Sequence, residues 1–243
     1  AKAKVDQIVT ATSNSYLHVN SSKQGNRGAY DEAAGALGTD SIAIGPNAGT
    51  SAGATSAIAI GTDASAEQAG TIAIGHNVST TNNHGISFGE NLRNGALGGI
   101  VIGQNAVTSG NADNSIVFGN DAKAISTGSA AGQNADRAIV IGQKAVANKA
   151  QDSFVVGYEA NVSGQNGTAI GRGTVVTGEG GIAFGRDAKT NQQGAIALGK
   201  GAVANTTAGD VALGQGATTA AQNAGNSFTL NGKNVAASVV QGT

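Results

Sequence analysis

The chain has 243 residues and is 40% hydrophobic but only 3% aromatic, with 39 Gly, one Pro and no Cys, Met or Trp. Without Cys there are no disulfides or thiolate metal sites, and abundant Gly without Pro excludes collagen. A formal charge of −1 argues against a basic nucleic-acid binder, and no apolar run reaches the roughly 18 residues of a membrane-spanning helix.

In chain order, residues 1–36 do not fit the pattern that follows. Gln7 to Val19, with Tyr16 and Leu17, is expected to cap the first turn of a stack, because an open solenoid end must be covered. A four-residue pattern then recurs: large apolar, small, large apolar, Gly. It begins as Ile42-Ala43-Ile44-Gly45 and Ile58-Ala59-Ile60-Gly61, and runs through Ile86-Ser87-Phe88-Gly89 and Ile139-Val140-Ile141-Gly142 to Val211-Ala212-Leu213-Gly214. There are twelve copies, and most steps between their glycines are 14 to 16 residues. The step from Gly119 to Gly142 is 23 and is read as hiding a worn copy, Ser129-Ala130-Ala131-Gly132-Gln133-Asn134-Ala135. Phe228-Thr229-Leu230-Asn231 reads as a final variant without the Gly, and residues 232–243 as an extension.

Asn or Asp often stands two residues after the Gly, as at Asn47, Asp63, Asn77, Asn91, Asn105, Asp121 and Asp187. These residues tolerate left-handed backbone angles, so each unit reads as strand, tight turn, strand, loop. A 14-residue unit is too short for a helix plus a strand. Stacked units pair each backbone with the turns above and below, which gives an all-β parallel solenoid of about 12–14 turns. At about 4.8 Å per turn the rod is on the order of 60 Å long.

Alternation along a strand puts the two large residues of each copy on one face and the small residue on the other. With the large residues assigned inward, the small ones form an apolar outer strip: Ala43, Ala59, Ala73, Val101, Val117, Val140, Ala169, Ala183 and Ala197. Such a strip is expected to be an interface closed by cyclic assembly. In the second strand, small pairs such as Ala122 and Ala124 are expected inside. Polar residues there, including Arg93, Lys123 and Lys189, are expected outside, where they are candidate ligand contacts.

Asp40-Ser41-Ile42-Ala43-Ile44-Gly45, Asn114-Ser115-Ile116-Val117-Phe118-Gly119 and Asp152-Ser153-Phe154-Val155-Val156-Gly157 resemble the repeat of the trimeric autotransporter adhesin heads of Gram-negative bacteria, the YadA-like heads. The resemblance covers roughly residues 37–231. It implies a left-handed parallel β-roll assembled as a homotrimer. It further implies a head displayed outside the outer membrane, held there by a C-terminal anchor missing from this sequence. The expected partners are a matrix protein such as collagen, a host cell or an abiotic surface, with no cofactor. The family's neck motif and stalk heptads are not found after Asn231, so the sequence reads as a fragment or as a head that continues.

Two other classes compete. A left-handed β-helix acyltransferase would use a His between subunits, and the chain offers His18, His76 and His84. However, a triangular coil needs about 18 residues per turn, and His76 and His84 fall in turn and loop positions. An ice-binding solenoid would present flat Thr ladders, whereas Thr here is scattered or turned inward. The acidic residues are too sparse for a calcium-binding β-roll. A non-enzymatic binding role is the expectation.

Overall fold

The computed structural model describes residues 35–126 and 134–220, together with the backbone of strands Ser227–Leu230 and Lys233–Ala236. The chain winds as a parallel solenoid. Each turn adds one short strand to a first sheet of 12 strands, from Ile42–Ile44 to Val211–Leu213, and one to a second sheet of 11, from Gly49–Thr50 to Val203–Ala204. Each copy stacks on the next without slippage: Ile58 pairs with Ile72, Ala59 with Ala73 and Ile60 with Ile74. Bridges from Ala36 to Thr50 and from Val203 to Thr218 extend the ladder at its two ends.

The repeat's residues build this shape locally. The motif Gly lies at positive φ, from 115° at Gly214 to 148° at Gly89, and turns the chain out of the first sheet. It must also be Gly for a packing reason. A Cβ on Gly75 would lie 1.7 Å from the carbonyl oxygen of Gly89, and one on Gly89 would lie 1.8 Å from that of Gly103. The Asn and Asp expected to turn the chain do so: Asn47, Asp63, Asn77, Asn91, Asn105, Asp121 and Asp187 have φ between 52° and 61°. The turn then closes with a backbone hydrogen bond, such as Ala48 N–H to the Gly45 carbonyl at 3.2 Å.

The core is a thin file of small side chains. From the second sheet come Ala122, Ala124, Ala145, Ala147, Ala202 and Ala204, all fully buried as expected. The face assignment of the first sheet is reversed from expectation. Ala59, Ala73, Val101, Val117, Val140, Ala169, Ala183 and Ala197 are 0% exposed within the single chain, and Ala43 packs partly buried against the same cluster. These residues line the chain's own interior and cannot form a surface strip. The large residues of the motif point outward instead. The reason is wall spacing. The residue before most motifs is also small and buried, as at Ala57, Thr71, Ser115, Ala138 and Ala195. Small residues on both walls bring the sheets too close to hold Ile between them.

A few polar groups are built into this core. Asn94 is fully buried; its Nδ2 donates to the Gly99 carbonyl at 2.8 Å and its Oδ1 accepts from Thr108 Oγ1 at 2.7 Å. Thr80 Oγ1 donates to Ser87 Oγ at 2.8 Å, so the one polar residue at the motif's small position has its partner inside the roll.

Two further expectations change. Strand Ile116–Phe118 pairs directly with Ile139–Ile141, and Lys123–Ile125 with Val146–Asn148. The 23-residue step is therefore one enlarged turn and not two. Of the segment read as a worn copy, residues 129–133 lie outside the described residues. Phe228-Thr229-Leu230 does not continue the parallel ladder either: Ser227–Leu230 forms an antiparallel hairpin with Lys233–Ala236. Residues 1–34, expected to cap the stack, also lie outside the described residues.

Candidate interaction surfaces

The outward side chains of the first sheet form two continuous columns. One carries Ile58, Ile72, Ile86, Ile100 and Ile116 in register, and the other Ile60, Ile74, Phe88, Ile102 and Phe118. Phe88, Phe118 and Phe184 are 55%, 51% and 53% exposed. Along the whole sheet Thr168 alone breaks the run of Ile, Phe, Val and Leu at these positions. Parallel sheets occur almost only with both faces covered. Here one face is covered by the second sheet and the other is bare in the single chain. A contiguous apolar face of this extent marks an interaction surface.

The outer face of the second sheet is wet. Ser65, Ser79 and Arg93 follow one another in register, and farther along come Lys123, Val146, Asn161, Val175, Lys189 and Val203. Arg93, Lys123 and Lys189 are exposed here, as expected of candidate ligand contacts. They are not brought together. Val107 stands between Arg93 and Lys123, and Lys189 lies four turns beyond Lys123.

Where the first sheet turns into the second, the residue after each motif Gly forms a third column. Its ladder shows in backbone bonds such as Asn91 N–H to the His76 carbonyl at 2.9 Å and Asp187 N–H to the Arg172 carbonyl at 2.8 Å. The column divides in two. In the first half, Gln104 Nε2 donates to Glu90 Oε2 and Asn120 Nδ2 to Gln104 Oε1, both at 2.9 Å, and His76 Nδ1 lies 3.7 Å from Glu90 Oε1. In the second half the column reads Tyr158, Arg172, Arg186 and Lys200. The charged pattern was legible in the sequence as the residue after each Gly, but the side-chain pairing was not.

His76 sits in this column and His84 at the opposite corner, at φ 58°. A Cβ on Gly70 would lie 2.7 Å from His84 Nδ1, so Gly one turn earlier makes room for the imidazole. The two His are not assembled with one another or with a nucleophile, and His18 lies outside the described residues. Among the described residues no group of three or more His, Asp and Glu is placed to hold a metal ion.

Two loops carry defined acid contacts. Arg137 Nε and Nη2 donate to the two carboxylate oxygens of Asp152 at 2.6 and 2.7 Å, a bidentate pair on the outside of the roll. The Arg137 hydrogen bond holds the Asp152 carboxyl below its usual range. Asp210 closes the loop before the last strand of the first sheet, accepting from the Thr207 hydroxyl, from Thr207 N–H at 2.8 Å and from Thr206 N–H at 2.9 Å. The Thr207 hydroxyl, with these amides, pulls its pKa down to about 2.

The family model for the YadA head domain repeat, described as two copies, matches residues 36–54, 52–77, 96–122, 149–174 and 177–202. The matches run over many of the strands that build the two sheets, with gaps at residues 78–95 and 123–148. No curated protein matches the chain.

Proposed function

Because the chain belongs to the YadA head domain family, a family of bacterial surface adhesin heads and not of enzymes, we propose that three copies assemble into an adhesive rod displayed outside the outer membrane of a Gram-negative bacterium. The observation that carries this is the bare apolar face of the first sheet. Each half-exposed Ile or Phe stabilises an assembly by about 1 kcal/mol when covered. Two such residues on each of 12 strands give on the order of 20 kcal/mol per chain, against an association cost of about 4–15 kcal/mol. The interface is thus the column pair that includes Phe88, Phe118 and Phe184, with the second sheet facing outward. Arg93, Lys123 and Lys189 on that outer sheet are proposed ligand contacts. The proposed partner is a matrix protein such as collagen, or a host-cell or abiotic surface. Each exposed contact is weak, and three copies per rod raise the strength of attachment through effective concentration.

The test has two readings. Sedimentation of the purified chain should give a trimer at micromolar concentration, and a monomer would end the proposal. Attachment to immobilised collagen and other matrix proteins should be lost in a monomerised but folded variant. Equal attachment by monomer and trimer would remove multivalency as the mechanism.

A further inference from the structure

We propose that the corner column of Arg172, Arg186 and Lys200 binds a sulfated polysaccharide, which deepens the adhesive reading above and rests on it. The backbone ladder sets these residues one turn apart: Gly173, Asp187, Gly201 and Gly216 N–H donate to the carbonyls of Tyr158, Arg172, Arg186 and Lys200 at 2.8 to 2.9 Å. Three exposed cations therefore stand in line at about 4.8 Å per turn. In the first half of the same column the side chains satisfy one another through Glu90, Gln104 and Asn120. In the second half they do not. Arg172 rests over the Tyr158 ring at 5.6 Å, Arg186 has only its neighbour Asp187 at 3.4 Å, and Lys200 has no ion pair among the described residues.

Stacked like charges repel, and an external line of anions relieves that repulsion. The slot after the cation, often filled elsewhere by Asn or Asp, is Gly at Gly173 and Gly201. A polymer can therefore approach the backbone beside Lys200, where nothing lies within 4 Å of a Cβ added to Gly201, while beside Arg172 the Asp187 carboxylate already lies over Gly173. The guanidinium fork suits tetrahedral oxyanions bidentately. Nucleic acid fits less well. The Tyr158 face is already covered by Arg172, which leaves no platform there for a base, and the chain's net charge is −1.

The test uses the full chain and labelled heparin as the probe, with unsulfated hyaluronan and single-stranded DNA as comparisons. The wild type should bind heparin in a salt-sensitive way and discriminate against the other two. The variant R172Q/R186Q/K200Q should lose about tenfold or more in affinity, while R137Q/K149Q, at cations outside this column, keeps it. The assembled variant should also melt no lower than the wild type in low salt, because a self-repelling column has been neutralised. Unchanged heparin affinity in the triple variant, or DNA binding as tight as heparin, would overturn the proposal. So would a lower melting temperature, which would mean that the cations pair with acids of a neighbouring copy. Failure here is separable from failure of the adhesive reading: a trimer that attaches to matrix protein but ignores heparin sinks only this inference. A wild-type monomer sinks the assembly, while heparin binding is still read on the single chain.

Discussion

The two sheets of the roll have the same inner chemistry and opposite outer chemistry. Inside, both present Ala with some Val and Thr, and both are fully buried. Outside, the first presents almost only Ile, Phe, Val and Leu, and the second mixes Ser, Asn, Arg and Lys with four Val. The inner residues determine how thin the tube is, and the outer residues determine what each face meets. Burial within one chain therefore says little about function here. Information about assembly lies in the large side chains that the single chain leaves bare.

The largest effect should come from placing one charge on either side of the first sheet. Ala73 and Ala183 are 0% exposed, so Ala73→Glu with Ala183→Glu puts carboxylates into a core with no room and no partner. Isolated buried charge costs many kcal/mol, and the far-ultraviolet circular dichroism of the roll should collapse. Phe88→Glu with Phe184→Glu points outward, so the chain should keep its β signal and sediment as a monomer. Arg93→Glu with Lys123→Glu on the second sheet should keep both fold and assembly. If the Ala pair gave folded monomers and the Phe pair folded trimers, the two faces would have to be exchanged.

The sequence pattern made the solenoid legible but not its inside. Twelve motifs at near-constant spacing show strand, turn and stacking, and the Asn and Asp residues mark the left-handed turn positions. Alternation tells which residues share a face; it does not tell which face is inside. Assigning Ile inward follows from hydrophobicity alone and ignores the opposing wall. The signal that decides it lies one step earlier in most units, at Ala57, Thr71, Ser115, Ala138 and Ala195. With the motif's middle residue these make a face of small residues only. Facing the equally small Ala122 and Ala124, it leaves little space for large side chains; Leu92, at 2% exposure, is the largest aliphatic side chain among the buried core residues. The enlarged turn was misread for a related reason: its small residues resemble a core face, but the strands on either side pair directly.

Glycine substitutions sharpen the comparison at the corner where one sheet becomes the other. Gly89 is at φ 148° and its added Cβ would fall 1.8 Å from the Gly103 carbonyl oxygen. Gly89→Ala must push two turns apart, and a loss of about 3 kcal/mol or more is expected in thermal or denaturant unfolding. Gly53 lies in a loop with nothing within 4 Å of the added atom and no positive φ. Gly53→Ala should be neutral or stabilise by up to about 1 kcal/mol, by restricting the unfolded chain. Equal effects at the two positions would remove stacked glycine as the reason the motif carries it.

The smallest effect should appear in the loop that leads from strand Val203–Ala204 of the second sheet back to Val211–Leu213 of the first. Asp210 holds that loop by accepting from the Thr207 hydroxyl and from the Thr206 and Thr207 amides, and its pKa falls to about 2 from an ordinary 3.8. A carboxyl whose folded pKa lies below its unfolded value contributes stability above the unfolded value. That contribution fades as pH falls below about 3.8 and is gone once the folded pKa near 2 is passed. Asp210→Asn should remove this part of the acid sensitivity, so that variant and wild type converge below that window and differ above it. Thr207→Ala removes the leading donor and should raise the Asp210 titration, read directly from its carboxyl carbon resonance. The group is exposed, so the change should be local: the amides of Thr206 to Val211 should exchange faster, while those of strand Ile100–Gln104, far along the rod, should not. An Asp210 resonance that titrates at an ordinary carboxylate pH in the wild type would show that these hydrogen bonds do not hold the loop. The edge strand Val211–Leu213 would then depend on its pairing with Ile196–Leu198 alone.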